Sequence, residues 1–203
     1  MPKPSAALKE LRERAGAARV PLHAMIEVTH RCNLRCRHCY LRDHHEPRGR
    51  ELDLAEFGSL LDQLAALQTL FLGLTGGEFF LRDDAFELLD AVRERGFVTT
   101  VLTNGTLITG EMARRIREYA PFQVHVSLLG PEEGHDRLAG VRGAYAGALG
   151  AMDLLREAGV HVRAKLILTR ESATWAAEMQ RVARAHADDF VMSADLVAGI
   201  DGA

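Results

Sequence analysis

Thr69-Leu-Phe-Leu-Gly-Leu-Thr-Gly-Gly-Glu-Phe-Phe-Leu-Arg-Asp-Asp-Ala-Phe-Glu-Leu-Leu-Asp-Ala-Val-Arg-Glu-Arg-Gly-Phe-Val-Thr-Thr-Val-Leu-Thr103 reads as strand, turn, helix, glycine stop and strand. The run 69–75 is short and apolar, the run 83–95 has helical periodicity, and Gly96 sits where a helix commonly ends. A second strand, 97–103, follows at once. The unit repeats in both directions. Upstream lie a strand at 22–29, a polar loop at 30–50 and a helix at 53–67, for which Asp53 is the expected N-cap. Downstream come a helix at 109–119, strands at 122–128 and 160–168, helices at 145–158 and 172–187, and a strand at 190–196. Six strands separated by five helices predict an α/β fold with parallel strands and right-handed crossovers. The expected form is a partial (βα)6 TIM-like barrel, with an open doubly wound sheet as the other solution. Either one places its chemistry at the C-terminal ends of the strands.

Residues 5–18 predict a short amphipathic helix with Leu8, Leu11 and Ala15 on one face, so 1–20 is an extension and 21–203 the core domain. The chain stops directly after the sixth strand, with no helix to cover it. A core truncated there is the expectation. The 203 residues are 47% hydrophobic and 26% charged, with a formal charge of −3, an ordinary globular balance. Nothing in that balance calls for a nucleic-acid or membrane partner. The charged N-terminus lacks the apolar stretch of a secretory signal, so the cytoplasm is the expected compartment.

Three cysteines, and no others, sit within eight residues: Cys32, Cys36 and Cys39, a C-x-x-x-C-x-x-C run directly after the first strand. An odd, tight cluster argues for metal rather than disulfides. Three thiolates can hold three corners of an iron–sulfur cubane and leave one iron open. A Cys3His zinc site completed by His30, His38, His44 or His45 is the other arrangement. Arg31, Arg35 and Arg37 place positive charge near the thiols, where it would favour the thiolates.

Polar residues recur at the following strand ends. Gly76 and Gly77 allow close backbone approach, and Glu78 can accept from an ammonium, although Gly-Gly-Glu also suits a plain turn. Asn104-Gly105 marks the next turn. Ser127 shares a strand face with His125. Lys165 lies mid-strand in an apolar segment, where it must find a partner, line a site or snorkel to a rim. Met192 could pack on a flat ligand or serve in the core.

The cysteine loop resembles the signature of the radical S-adenosylmethionine superfamily. The resemblance extends through Gly-Gly-Glu, Thr-Asn-Gly and Ser127–Gly143, from about residue 22 to 202. It departs from the family pattern at Phe79, where proline is usual, and at Ala139, where some relatives carry arginine. The resemblance implies a 4Fe-4S cluster on Cys32, Cys36 and Cys39, with S-adenosylmethionine chelating the open iron. Reductive cleavage would then give a 5′-deoxyadenosyl radical that abstracts hydrogen from a substrate. It also implies cofactor contacts at His38, Gly76, Gly77, Glu78, Asn104, Ser127, Lys165 and Met192, and an external low-potential electron donor. The branch it looks closest to modifies peptides and proteins and continues into a cysteine-rich C-terminal SPASM domain, which this chain is expected to lack. Tetrapyrrole and cofactor biosynthesis share the same core. Two readings from other classes are an iron–sulfur electron carrier without catalysis and a zinc-stapled α/β binding module.

Overall fold

The computed structural model describes residues 6–41, 49–168 and 170–193. Its centre is one sheet of six parallel strands: β1 (His23–Glu27), β2 (Phe71–Thr75), β3 (Val98–Thr103), β4 (Gln123–Leu128), β5 (Val162–Ile167) and β6 (Asp189–Ser193). They stand in sequence order, β1-β2-β3-β4-β5-β6. A doubly wound sheet reverses its strand order partway, and this one does not, so the partial barrel is the correct solution. With right-handed crossovers and no reversal, the helices gather on one face.

The strand side chains divide accordingly. Leu72, Leu74, Val101, Val124, Val126, Leu128, Val162, Ala164 and Leu166 are essentially inaccessible and form one core with the helices. Burying each leucine contributes about 1.5–3 kcal/mol. The alternate residues Gly73, Thr100, Leu102, His125, Ser127, Arg163 and Lys165 are only partly buried, on the opposite, concave face. In the β4–β5 register His125 lies beside Arg163, and Ser127 beside Lys165.

The covering helices are α2 (Leu54–Ala66), α3 (Ala85–Glu94), α4 (Gly110–Tyr119), α5 (Glu132–Ala139), α6 (Ala144–Glu157) and α7 (Ala176–His186). Asp53 caps α2 as expected, in a full capping box: its carboxylate accepts from Glu56 N at 2.9 Å, and its own N–H donates to Glu56 Oε2 at 3.0 Å. In the N-terminal helix α1 (Ala6–Ala18) only Ala15 is buried, and Leu11 stays exposed, contrary to the expected apolar face. The expected helix at 172–187 starts with a 3-10 turn, Ser172–Trp175, before α7. The part of the sixth strand expected beyond Ser193 lies outside the described residues.

Sequence reading missed α5. It is only eight residues long and contains little apolar periodicity. Its ends are nonetheless marked: Pro131 and two glutamates at the start, Arg137 in the last turn, and Gly140 left-handed at φ 71° just beyond.

Candidate functional site

The cysteine loop leaves β1 and is seated on the end of β2. Gly77 N donates to Thr29 O at 2.8 Å, and Glu78 N donates to Arg31 O at 2.8 Å. A Cβ on Gly76 would lie 2.4 Å from Thr29 O, and one on Gly77 would lie 2.3 Å from Arg31 O. Backbone therefore does approach these two glycines closely. It is the backbone of the chain's own loop.

Glu78 likewise faces inward. Its side chain, 1% exposed, accepts from Phe80 N (3.2 Å), Thr103 Oγ1 (2.7 Å) and Asn104 N (2.7 Å). Burial pushes the carboxyl above its ordinary value, and the three donors oppose that rise. The carboxylate ties the end of β2 to the turn after β3.

The exit of the loop is fixed by two side chains that sequence reading passed over. Glu51 accepts from Arg31 Nε at 2.8 Å and Nη2 at 3.1 Å, and from the Thr29 hydroxyl. Arg82, 7% exposed, donates to Val28 O and Leu52 O at 3.0 Å each and pairs with Asp84 at 2.6 Å. The Arg31 guanidinium is thus engaged by Glu51 and does not serve the thiols.

The middle of the loop rests on α5. Arg35 N donates to Ala139 O and Arg37 N to Leu138 O, both at 2.9 Å, so the last carbonyls of the helix receive the amides of the loop. Gly140 packs against Arg35, whose carbonyl a Cβ there would meet at 2.6 Å. Leu34, Leu129, Leu138, Ala139 and Ala144 form a small apolar cluster, and Cys32 and Cys36 pack against it.

The adjoining His135 and Asp136 are structural. Asp136 accepts from Gly143 N (2.6 Å) and Tyr145 N (2.8 Å), capping α6. His135, 1% exposed, accepts from Leu129 N through Nδ1 at 3.2 Å. Burial lowers its pKa to about 4. An unfolded histidine titrates near 6.5, so the neutral folded ring contributes stability above that pH and loses it as pH falls toward 4. The expected loss at this one site is about 3 kcal/mol across that window. His135→Asn keeps an acceptor near Nδ1 but does not titrate. It should flatten the melting temperature between pH 7 and pH 4.5; an unchanged slope would refute the assignment.

All three thiols are partly buried. Burial raises the pKa of each, that of Cys36 to about 12. The expectation that neighbouring arginines favour the thiolates is therefore wrong for the protein alone: burial wins. Thiolates in this setting need a positive charge brought to them, as metal ions supply. Three such sulfurs on one loop, in a chain with no fourth cysteine, fit a cluster with one open corner.

Of the histidines considered as a fourth ligand, His30 lies 3.7 Å from Glu27, and His44 and His45 fall outside the described residues. His38 has a buried Nδ1 with no partner, and burial lowers its pKa. Among the described residues, no three His, Cys, Asp or Glu side chains converge as a single ion requires.

The other sequence-derived residues separate into two groups. Asn104 joins the cysteine loop, with Nδ2 2.9 Å from Asn33 Oδ1 and 4.0 Å from Cys32 Sγ. Ser127 and Lys165 sit side by side on the concave face. Lys165 has no anionic partner among the described residues, and burial lowers its pKa. Below them Arg163 pairs with Asp189, and His125 has a buried Nε2 without a partner. Met192 is not with this group. It aligns with Leu166 on the helix face, packs on the core and accepts from Gln180 Nε2 of α7 at 3.1 Å. Parallel register puts Leu166 and Met192 on the same side, so Met192 faces away from the strand face that Ser127 shares with Lys165.

The fold is thus an α/β partial parallel barrel with a three-thiol loop at the mouth of its first strand. The family model described as Radical SAM superfamily matches residues 26–170, and the chain belongs to that superfamily. It is 35% identical over 147 residues to AdoMet-dependent heme synthase of Oleidesulfovibrio alaskensis, covering 72% of this chain and 38% of that protein. It is 38% identical over 146 residues to the antilisterial bacteriocin subtilosin biosynthesis protein AlbA of Bacillus subtilis, covering 71% and 32%. Among solved structures, Streptococcus suis SuiB bound to S-adenosylmethionine is similar in fold, with TM-score 0.75 and 22% identity over 91% of this chain and 44% of that one. The chain thus spans less than half the length of these relatives.

Proposed function

We propose that the chain is a radical S-adenosylmethionine enzyme core carrying a 4Fe-4S cluster on Cys32, Cys36 and Cys39. The carrying observation is the partly buried cysteine triplet at the mouth of β1, without a fourth cysteine, in a chain of this superfamily. Three thiolates without a fourth cysteine suit a cubane, whose thiolates bind different irons and leave one iron open. When bound, the cluster and S-adenosylmethionine together would supply a 5′-deoxyadenosyl radical for hydrogen abstraction.

This chain's own residues bind and orient. Lys165, half-buried and without an anionic partner among the described residues, would receive the cofactor carboxylate, with Ser127 beside it. His38 would present its ring toward the adenine. Gly76, Gly77 and Glu78 act indirectly, by holding the loop. Asn104 has its amide engaged within the protein.

The electron comes from an external low-potential donor. The substrate is a peptide or protein, a reading supported by AlbA and by the PqqA peptide cyclase of Bradyrhizobium diazoefficiens, 30% identical over 166 residues. The haem synthase relatives favour a tetrapyrrole as the second reading. No helix among the described residues is long and apolar enough to cross a membrane, which is compatible with a cytoplasmic enzyme.

The test is anaerobic reconstitution with iron and sulfide, followed by S-adenosylmethionine and a strong reductant. Release of 5′-deoxyadenosine is expected, and it should fall to background in Cys32→Ala, Cys36→Ala and Cys39→Ala. A cluster-loaded wild-type protein that never cleaves the cofactor would overturn the enzyme reading. A colourless protein holding one zinc would overturn the cluster.

A further inference from the structure

Asn33 and Asn104 are the only asparagines in the chain, and they meet beside Cys32. The backbone N–H of Thr106 donates to the Asn104 side chain at 2.9 Å. A peptide N–H can only donate, so the atom it meets is Oδ1, and the orientation of the amide is fixed. The Thr106 hydroxyl donates to the same oxygen at 2.6 Å. Asn33 Nδ2 donates to that hydroxyl at 2.7 Å, and Asn104 Nδ2 returns a bond to Asn33 Oδ1 at 2.9 Å. The three side chains form a closed ring between the cysteine loop and the turn after β3. One N–H of the Asn104 amide is spent inside the ring. The other is available to Cys32 Sγ, 4.0 Å away, which also receives Leu34 N at 3.4 Å. Among the described residues, Asn104 is the one side-chain donor directed at a cysteine sulfur.

We propose that Asn104, held by Asn33 and Thr106, is a positioning residue that makes the cluster's reduction potential less negative by donating an N–H to the Cys32 sulfur. The proposal rests on the cluster reading above. Reduction adds negative charge that is shared by the thiolate sulfurs, and a hydrogen-bond donor aimed at one of them favours the reduced state. Leu34 N is a backbone donor and is present in any variant. Asn104 is the adjustable one.

The test uses the full chain, reconstituted, without S-adenosylmethionine, so that no turnover enters the measurement. Redox titration followed by electron paramagnetic resonance should give a more negative midpoint for Asn104→Leu than for wild type at equal iron and sulfide content. Thr106→Val opens the ring but keeps the backbone N–H that orients Asn104, and should move the midpoint in the same direction by a smaller amount. An unchanged midpoint in Asn104→Leu overturns the proposal. Should that variant fail to load, wild-type protein labelled with side-chain 15N-asparagine decides. Pulsed spectra of the reduced cluster should show coupling to an asparagine nitrogen, and its absence overturns the proposal. Wild-type protein that takes up no cluster removes the reading beneath it, and this inference with it.

Discussion

Gly77→Ala is expected to abolish the iron uptake that the proposed cluster site predicts. The added Cβ would stand 2.3 Å from Arg31 O and 2.7 Å from both Arg31 C and His30 O. All three are backbone atoms, so no side chain can swing aside. The loop must lift off β2, losing the Gly77–Thr29 and Glu78–Arg31 bonds, and Cys32 moves with it. Overpacking of this kind costs about 3 kcal/mol. Iron content after reconstitution should drop at least about tenfold, since 1.4 kcal/mol in loop placement already corresponds to a factor of ten. Gly150→Ala is the control: it lies in α6 with nothing within 4 Å, and should raise stability by about 0.5–1 kcal/mol. Normal iron content in Gly77→Ala would show that the loop does not need this seat.

Arg82→Met should be strongly destabilising. Its guanidinium is buried and serves Val28 O, Leu52 O and Asp84 at once. Methionine fills much of the volume but leaves two carbonyls and a carboxylate without their donor. Leaving buried acceptors without their donor costs about 1–3 kcal/mol each, and the part-exposed Asp84 adds less. Arg82→Lys should recover only part of this, because a single ammonium cannot span three acceptors held by a planar fork. Urea unfolding measures both variants, and a midpoint within error of wild type for Arg82→Met would refute the role.

The fold was legible because its signals are periodic. Alternating strand and helix runs with glycine stops at 96 and 159 predict parallel βα units, and the β1-to-β6 order confirms the barrel over the doubly wound alternative. The position of the cysteine triplet was legible because sequence spacing carries it. That Gly76, Gly77 and Glu78 hold the chain's own loop was not. Close approach to a ligand and close approach to one's own loop demand the same residues, and only the fold separates them. Met192 was a question of register, since a one-residue slip sends a strand side chain to the other face. Arg82 and Glu51 were invisible because charged residues are usually solvated, and nothing local marks a buried arginine. Helix α5 was too short for its periodicity to register, yet it carries the middle of the cysteine loop.

That last support has a consequence for how the protein is made. The cysteines emerge early, but their loop closes on carbonyls at 138 and 139 and against Gly140, roughly a hundred residues later. At ribosomal speeds of about 5–20 residues per second, the thiols spend about 5–20 seconds attached to a nascent chain that cannot yet hold them in place. The cysteine loop can therefore reach its final shape only once the fourth strand and the helix after it, through Gly140, have emerged.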